Sequence, residues 1–262
     1  MSGDIPVFIN TRDRVAALSA LVEWLERAGT QRIVLVDNAS TYPPLLAYLD
    51  RSPHAVVRLK ENLGQNAPWR GRVIEQFVGP DERYVETDPD VVPDENCPPD
   101  AVAHFSALLD RYPDVDKVGF GLRIDDLPDH YQHAEAVRRW ERAFWRDEAE
   151  PGVFRAPIDT TFALYRPRRP PAMEPALRTG PPYVARHLPW YANSSRPDRE
   201  LRYYLAHAQP GINNWDDERI AERVANHIGL PTEPVTGATT ADTRHADARG
   251  RLLRPHVRFR RR

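Results

Sequence analysis

Between residues 5 and 124 the chain alternates short apolar runs with helical stretches, and this pattern limits the fold more than any other feature. IPVFIN (5–10), RIVLVDNAS (32–40), AVVRLKEN (55–62), RYVETD (83–88) and DKVGFGLRI (116–124) read as strands. Between them, Val15, Leu18, Leu21, Val22 and Leu25 share one helical face before Gly29, and Val102, Phe105, Leu108 and Leu109 share another. PPLLAYLD (43–50) and GRVIEQF (71–77) supply shorter helices. Strands separated by helices pair in parallel, with helices on both faces of the sheet. The predicted fold class is therefore α/β, a Rossmann-like, mainly parallel sheet flanked by helices.

The second half is less regular. AEAVRRWERAFWRD (134–147) predicts an amphipathic helix, TTFALYRP (160–167) a strand and DDERIAERVANHIG (216–229) a closing helix. The Pro- and Arg-rich stretch from Arg166 to Pro182 reads as a loop. HAQPGINNWDDE (207–218) reads as a loop closing over a ligand, with Trp215 as its plug. At 41% apolar residues the chain is neither disordered nor a membrane protein by composition. The opening MSGDIPVFIN lacks a basic region followed by an apolar one, and Cys97 is the only cysteine, so a cytoplasmic protein without thiolate metal sites is expected. A net charge of −2 argues against a nucleic-acid partner. All but two of the 36 basic residues are arginine; the lysines are Lys60 and Lys117.

The first four strands all run into polar residues: NTRDR, VDNAS, KENLGQN and ETDPDV. In a parallel sheet these ends converge on one rim, where such folds bind ligands. The sharpest of them is Asp88-Pro89-Asp90. Strand alternation directs both carboxylates of an Asp-x-Asp pair the same way, and a cation relieves their repulsion. Hard oxygen ligands without cysteine suit Mg²⁺ or Mn²⁺, which bridge to a diphosphate and neutralise it as it leaves. An isolated Asp-Pro-Asp is more often a solvated turn; its position after a buried strand favours the site.

In this order and at this spacing, the four strand ends resemble the family-2 glycosyltransferases, which have the GT-A fold of nucleotide-diphospho-sugar transferases. The resemblance covers roughly residues 5–125. It departs from the family in the opening NTRDR, in ENLGQNAPWRGR, which keeps only Asn62 and Gly64 of the usual middle motif, and in lacking the usual Glu-Asp base motif. It implies a metal-dependent inverting glycosyltransferase. The donor is a nucleotide-diphospho-sugar, and the acceptor is a hydroxyl on a glycan, a lipid-linked or a small molecule. The donor half is residues 1–125, the acceptor and catalytic half 126–235, and the basic tail 236–262. Donor contacts fall on Asn10, Thr11 and Arg12, on Asp37 for the nucleobase, on Asn62 and Gly64, and on Asp88 for the ribose or sugar. On the same resemblance Asp90 would ligate Mn²⁺ or Mg²⁺, with Asp88 beside it and His187 as a third ligand. The general base such a transfer needs is expected at Asp159, with Asp125 and Asp126 as rivals.

RTGPPYVARHLPWYANSS (178–195) adds Arg186 as a fork for the diphosphate, and Trp190 and Tyr191 as rings for stacking on acceptor sugars. Each of these residues also has an ordinary reading: Asp37 as a cap, Asn62 as a turn, the aromatics as core. The Arg-rich tail is a solvated end, or a contact with anionic lipid at the inner face of the membrane. Two other classes stay open. One is a sugar nucleotidyltransferase, which the absence of glycine from NTRDRVAAL disfavours. The other is a non-catalytic sugar- or nucleotide-binding module.

Overall fold

The computed structural model describes residues 5–169, 171–193 and 195–208. Helix 216–229, the Trp215 loop beyond residue 208 and the basic tail lie outside the described residues. The order is β1 (Val7–Thr11), α1 (Ala16–Arg27), β2 (Ile33–Asp37), α2 (Pro43–Arg51), β3 (Ala55–Arg58), α3 (Ala67–Arg70), α4 (Ile74–Phe77) and β4 (Tyr84–Thr87). It continues with β5 (Val91–Pro93), α5 (Ala101–Arg111), β6 (Lys117–Leu122), α6 (Ala134–Glu141), β7 (Glu148–Glu150) and β8 (Val153–Arg155). β9 (Ala163–Tyr165), β10 (Ala176–His187) and α7 (Arg199–His207) complete it.

The fold is mixed α/β, with one large, mostly parallel central sheet flanked by helices. Its order is β3-β2-β1-β4-β9-β6-β10-β8-β7, with β5 paired to β10. Strands β3, β2, β1 and β4 are mutually parallel, as are β6 and β10, and β9 is inserted antiparallel between β4 and β6. Both halves of the chain thus contribute to one sheet. The alternation of β1 is visible in the packing. Val7 and Ile9 join the large core with Leu18, Leu21 and Leu25 of α1 and Phe105 and Leu108 of α5, while Phe8 faces a smaller core with Val34, Val36, Tyr84 and Tyr165. The predicted helical faces are the buried ones.

Of the stretch expected as a loop from Arg166 to Pro182, the part from Ala176 onward is instead strand, because β10 begins there. Its register against β6 shifts between Thr179 and Val184. Pro181 and Pro182 fall inside that irregularity, where no ladder N–H is needed. The predicted helix 134–147 is α6 followed by a 3-10 turn at Arg142–Trp145. Strands β5, β7 and β8 were not anticipated; each has three residues, too few for a period to show. Gly119 lets β9 approach β6, since a Cβ there would sit 2.3 Å from the Phe162 carbonyl.

Two capping contacts bring distant segments to the sheet rim. The Asp13 Oδ1 accepts the N–H groups of Thr41 (2.6 Å) and Tyr42 (2.8 Å) at the start of α2. The Glu200 Oε2 of α7 accepts the Val15 N–H (2.9 Å) and the Ala16 N–H (3.2 Å) at the start of α1, in place of a local cap. No helix of the described residues is long and apolar enough to cross a membrane.

Candidate functional site

A cavity of about 790 Å³ opens where β1, β2, β4, β6 and β10 end. Its lining comes from the strand ends: Asn10 near the end of β1, Asn38 after β2, Asp88 and Asp90 after β4, and Leu122 and His187 closing β6 and β10. The convergence of polar strand ends read from the sequence is therefore a real rim.

The two central carboxylates are not on a strand. β4 stops at Thr87, and Asp88, Pro89 and Asp90 form a turn before β5. Alternation along a strand therefore does not aim them; the turn delivers both to the cavity. The turn is pinned on both sides. The Asp88 N–H donates to the Thr160 carbonyl (2.9 Å), and the Leu188 N–H donates to the Asp90 carbonyl (2.8 Å). The Thr160 hydroxyl donates to Asp88 Oδ2 at 2.5 Å. Burial raises the Asp88 pKa well above the usual carboxylate value and the charge of Asp90 adds to it, while the Thr160 hydroxyl works the other way.

Asp90 faces a cation and an imidazole. Arg14 Nη1 lies 3.6 Å from Asp90 Oδ2, and His187 Nε2 lies 3.8 Å from Asp90 Oδ1. Burial pushes His187 down to about 4, with Asp90 opposing and Arg14 assisting, so the ring is neutral at pH 7 and its nitrogens suit a metal. Burial works against the charge of Arg14, but Asp90, Tyr204 and Glu200 outweigh it. The Arg14 guanidinium stacks 4.1 Å from the Tyr204 ring centroid. The donor set of carboxylates and neutral imidazole fits Mn²⁺ or Mg²⁺. Among the described residues no group of three or more His, Cys, Asp or Glu side chains is placed to hold a metal ion. A metal bound at Asp90 would therefore take most of its ligands from water and phosphate.

The β1–β2 end of the cavity is built from amides. The Asn38 side chain is used at both ends, accepting the Leu63 N–H (2.8 Å) and donating to the Gly64 carbonyl (2.9 Å). Asn10 Nδ2 donates to the Gln65 carbonyl (3.0 Å), and Asn62 Oδ1 accepts the Gly64 N–H (2.9 Å). Gly64 has φ +78, which explains the glycine. Asn10 Oδ1 and Asn62 Nδ2 are left without hydrogen-bond partners. The anchored atoms fix which end of each amide is which, leaving one acceptor and one donor beside the same loop. Arg12 Nη1 donates to the carbonyls of Asn38 (3.1 Å) and Ala39 (3.2 Å), and also lines the cavity.

On the far side, Asp159 is exposed to the cavity, next to Thr160 and Thr161. Trp140, Phe144 and Trp190 add aromatic wall, and the buried pair Arg178–Glu141 (2.8 Å) closes it. Beneath the turn, Glu86 is fully buried with neither carboxylate oxygen hydrogen-bonded; burial, then Asp88, raise its pKa well above the usual value.

Of the residues singled out from the sequence, Asn10, Arg12, Asn62, Gly64, Asp88, Asp90, Asp159, His187 and Trp190 line this cavity. Asp37, Thr11, Arg186 and Tyr191 are not among its lining residues. Asp37 accepts the Ser40 N–H (2.9 Å), a turn contact, and faces Arg58 at 3.8 Å. Thr11 is fully buried and bonds the Arg14 carbonyl (3.4 Å). Arg186 pairs with Asp94 (3.0 Å) and Asp126 (2.8 Å), and the Tyr191 hydroxyl donates to Asp126 (2.5 Å). Asp126 is thereby committed, and Asp125 pairs with Arg123 at 2.9 Å. Arg14, Asn38, Trp140, Glu141, Phe144, Arg178 and Tyr204 were missed. Only Arg14 and Asn38 sat in polar strand ends already under suspicion; the others come from helices or β10, whose placement no local pattern gives.

No protein-family model matches the chain, and no curated protein does. Among solved structures it is similar to a UDP-glucose pyrophosphorylase complexed with UDP-glucose, at TM-score 0.34 and 12% identity, covering 85% of this chain and 86% of that one. It is also similar to a UTP-bound UGPase from Acinetobacter baumannii, at TM-score 0.33 and 11% identity, covering 86% and 93%. Likeness at that level leaves the chemistry to the chain's own geometry.

Proposed function

We propose that this chain is a metal-assisted transferase acting on a nucleotide-diphospho-sugar, and that it moves the sugar to a hydroxyl acceptor. The observation that carries this reading is the pinned Asp88–Asp90 turn, set in a cavity that also presents Arg12, Arg14 and Arg70. Carboxylates for a metal beside guanidiniums for phosphate suit a diphosphate that must leave with its charge covered.

Asp90, with Asp88 and His187 close to it, is where Mn²⁺ or Mg²⁺ would bind, water and phosphate completing its ligands; when bound it supplies Lewis-acid neutralisation of the diphosphate. The chain's own groups do the rest. Asp159 accepts the proton of the acceptor hydroxyl as that oxygen bonds to the anomeric carbon. The bond from that carbon to the diphosphate oxygen breaks on the opposite face, its electron pair leaves with the nucleoside diphosphate, and the configuration inverts. Arg12 and Arg14 face the phosphates.

A second reading is a sugar nucleotidyltransferase, and it is favoured by Arg12 and Arg70 at the amide end with Arg14 beside Asp90, which together offer enough positive charge for a triphosphate. The released product separates the two. Incubation with UDP-, GDP-, dTDP- or CDP-glucose and Mn²⁺ yields nucleoside diphosphate if the protein transfers or hydrolyses the sugar. Incubation with UTP, GTP, dTTP or CTP and glucose 1-phosphate yields pyrophosphate if it is a nucleotidyltransferase. Neither product from any of them would sink both enzyme readings and leave a binding module.

The spare amide atoms give a prediction. Asn62→Asp keeps the oxygen that holds the Gly64 N–H and replaces the spare donor with an acceptor. Calorimetry should record about a tenfold weaker Kd for the preferred nucleotide, equivalent to about 1.4 kcal/mol. An unchanged Kd would remove Asn62 from the donor site.

A further inference from the structure

Residues 156–161 carry Asp159, Thr160 and Thr161 into the cavity without regular secondary structure. Such a segment holds a carboxylate in place only if something holds the segment. Two buried cations from neighbouring strands do so. Lys117 Nζ, on β6, donates to the Ile158 carbonyl at 2.6 Å and lies 3.4 Å from the Asp159 carbonyl. Arg178 Nε, on β10, donates to the Pro157 carbonyl at 2.8 Å. Lys117 is 2% exposed and Arg178 5%.

Each cation is itself fixed. Lys117 also donates to the Tyr165 hydroxyl (3.0 Å), with its ammonium 4.8 Å from that ring's centroid. Arg178 is paired to Glu141 and stacks 4.3 Å over Phe144. The chain uses lysine only twice among 36 basic residues, and one of the two is here. An ammonium has three donors around a point, and the acceptors present are three: two successive carbonyls and a phenol oxygen. A planar guanidinium fork matches that set poorly.

We propose that Lys117 and Arg178 are positioning residues that clamp the carbonyls of residues 157–159 and so fix the Asp159 carboxylate and the Thr160 hydroxyl at the reacting centre. Thr160 passes the constraint on, because its hydroxyl holds Asp88 and its carbonyl holds the Asp88 N–H. One segment thereby sets both the base and the acidic turn. The clamp stands on geometry alone; its effect on turnover rests on the proposed role of Asp159.

The test uses Lys117→Met, which keeps the stem and removes the donors, and Lys117→Gln, which restores one. Amide hydrogen exchange should speed up at least tenfold across residues 156–161 in Lys117→Met, with β1 and β2 unchanged and Lys117→Gln intermediate. Turnover of the nucleotide sugar should fall at least tenfold in the otherwise native chain, with the Kd for its nucleoside diphosphate within threefold. In an Asp159→Asn background the same change should cost less than twofold, because both act through one group. Unchanged exchange overturns the clamp. Additive losses overturn the route through Asp159. If Asp159→Asn alone keeps full turnover, the base assignment fails, and the exchange result still decides the clamp. Should Lys117→Met not fold, Lys117→Gln carries both measurements.

Discussion

Asp90→Ala is expected to abolish Mn²⁺-dependent nucleotide binding. Titration of UDP, GDP, dTDP and CDP by calorimetry, with Mn²⁺ and then with EDTA, should give one preferred nucleotide in the wild type and a loss of at least about 100-fold in the variant, equivalent to about 2.7 kcal/mol. The reason is local. Asp90 meets both Arg14 (3.6 Å) and His187 (3.8 Å), so removing it takes away a carboxylate ligand and also the carboxylate partner of Arg14. EDTA on the wild type should reproduce most of the variant's loss. Asp90→Asn separates charge from shape and should behave like Asp90→Ala. Binding that persists in EDTA, or survives in the variant, would end the metal-diphosphate reading of the turn.

The second large effect is on stability. Glu141 and Arg178 form an ion pair with side chains only 3% and 6% exposed, at 2.8 Å. Glu141→Ala leaves the guanidinium buried beside Phe144 without its counter-charge, which costs about 3–5 kcal/mol in comparable buried pairs. In a domain of this size each kcal/mol lowers Tm by about 2–4 °C. The double change Glu141→Met with Arg178→Met removes both charges and should unfold within about 1 kcal/mol of wild type. It should nevertheless turn over slowly, since the bond from Arg178 to the Pro157 carbonyl is gone. Urea unfolding and turnover on the same samples check this split. A double variant as unstable as Glu141→Ala would show that packing around the pair, not the uncompensated charge, dominates.

Sequence reasoning found the rim well and the far wall poorly, for physical reasons. Asn10, Asn62, Asp88 and Asp90 end apolar runs, and a parallel sheet carries all such ends to one side whatever the details of packing. Asp37 has the same local signature, yet it spends its carboxylate on the Ser40 N–H and Arg58. A cap and a ligand-binding carboxylate look alike in a string of letters. Arg186 and Tyr191 had the right chemistry at the right end of a strand. The neighbours that claim them, Asp94 and Asp126, become adjacent only when β10 lies beside β5 and β6. Proline marked residues 166–182 as loop, but a register irregularity holds both Pro181 and Pro182 within a strand.

By itself the sequence determined the layered α/β arrangement, the buried helical faces and the convergence of polar strand ends, because all three follow from local period and strand direction. Tertiary structure alone decided what closes the cavity. The insertion of β9 between β4 and β6 brings residues 156–161 under the acidic turn. That insertion also sets Lys117 against carbonyls some forty residues away, and α7 brings Tyr204 and Glu200 back to Arg14 and α1. These are pairings between segments far apart in the chain, fixed by packing and buried charge, and no short window of residues contains them.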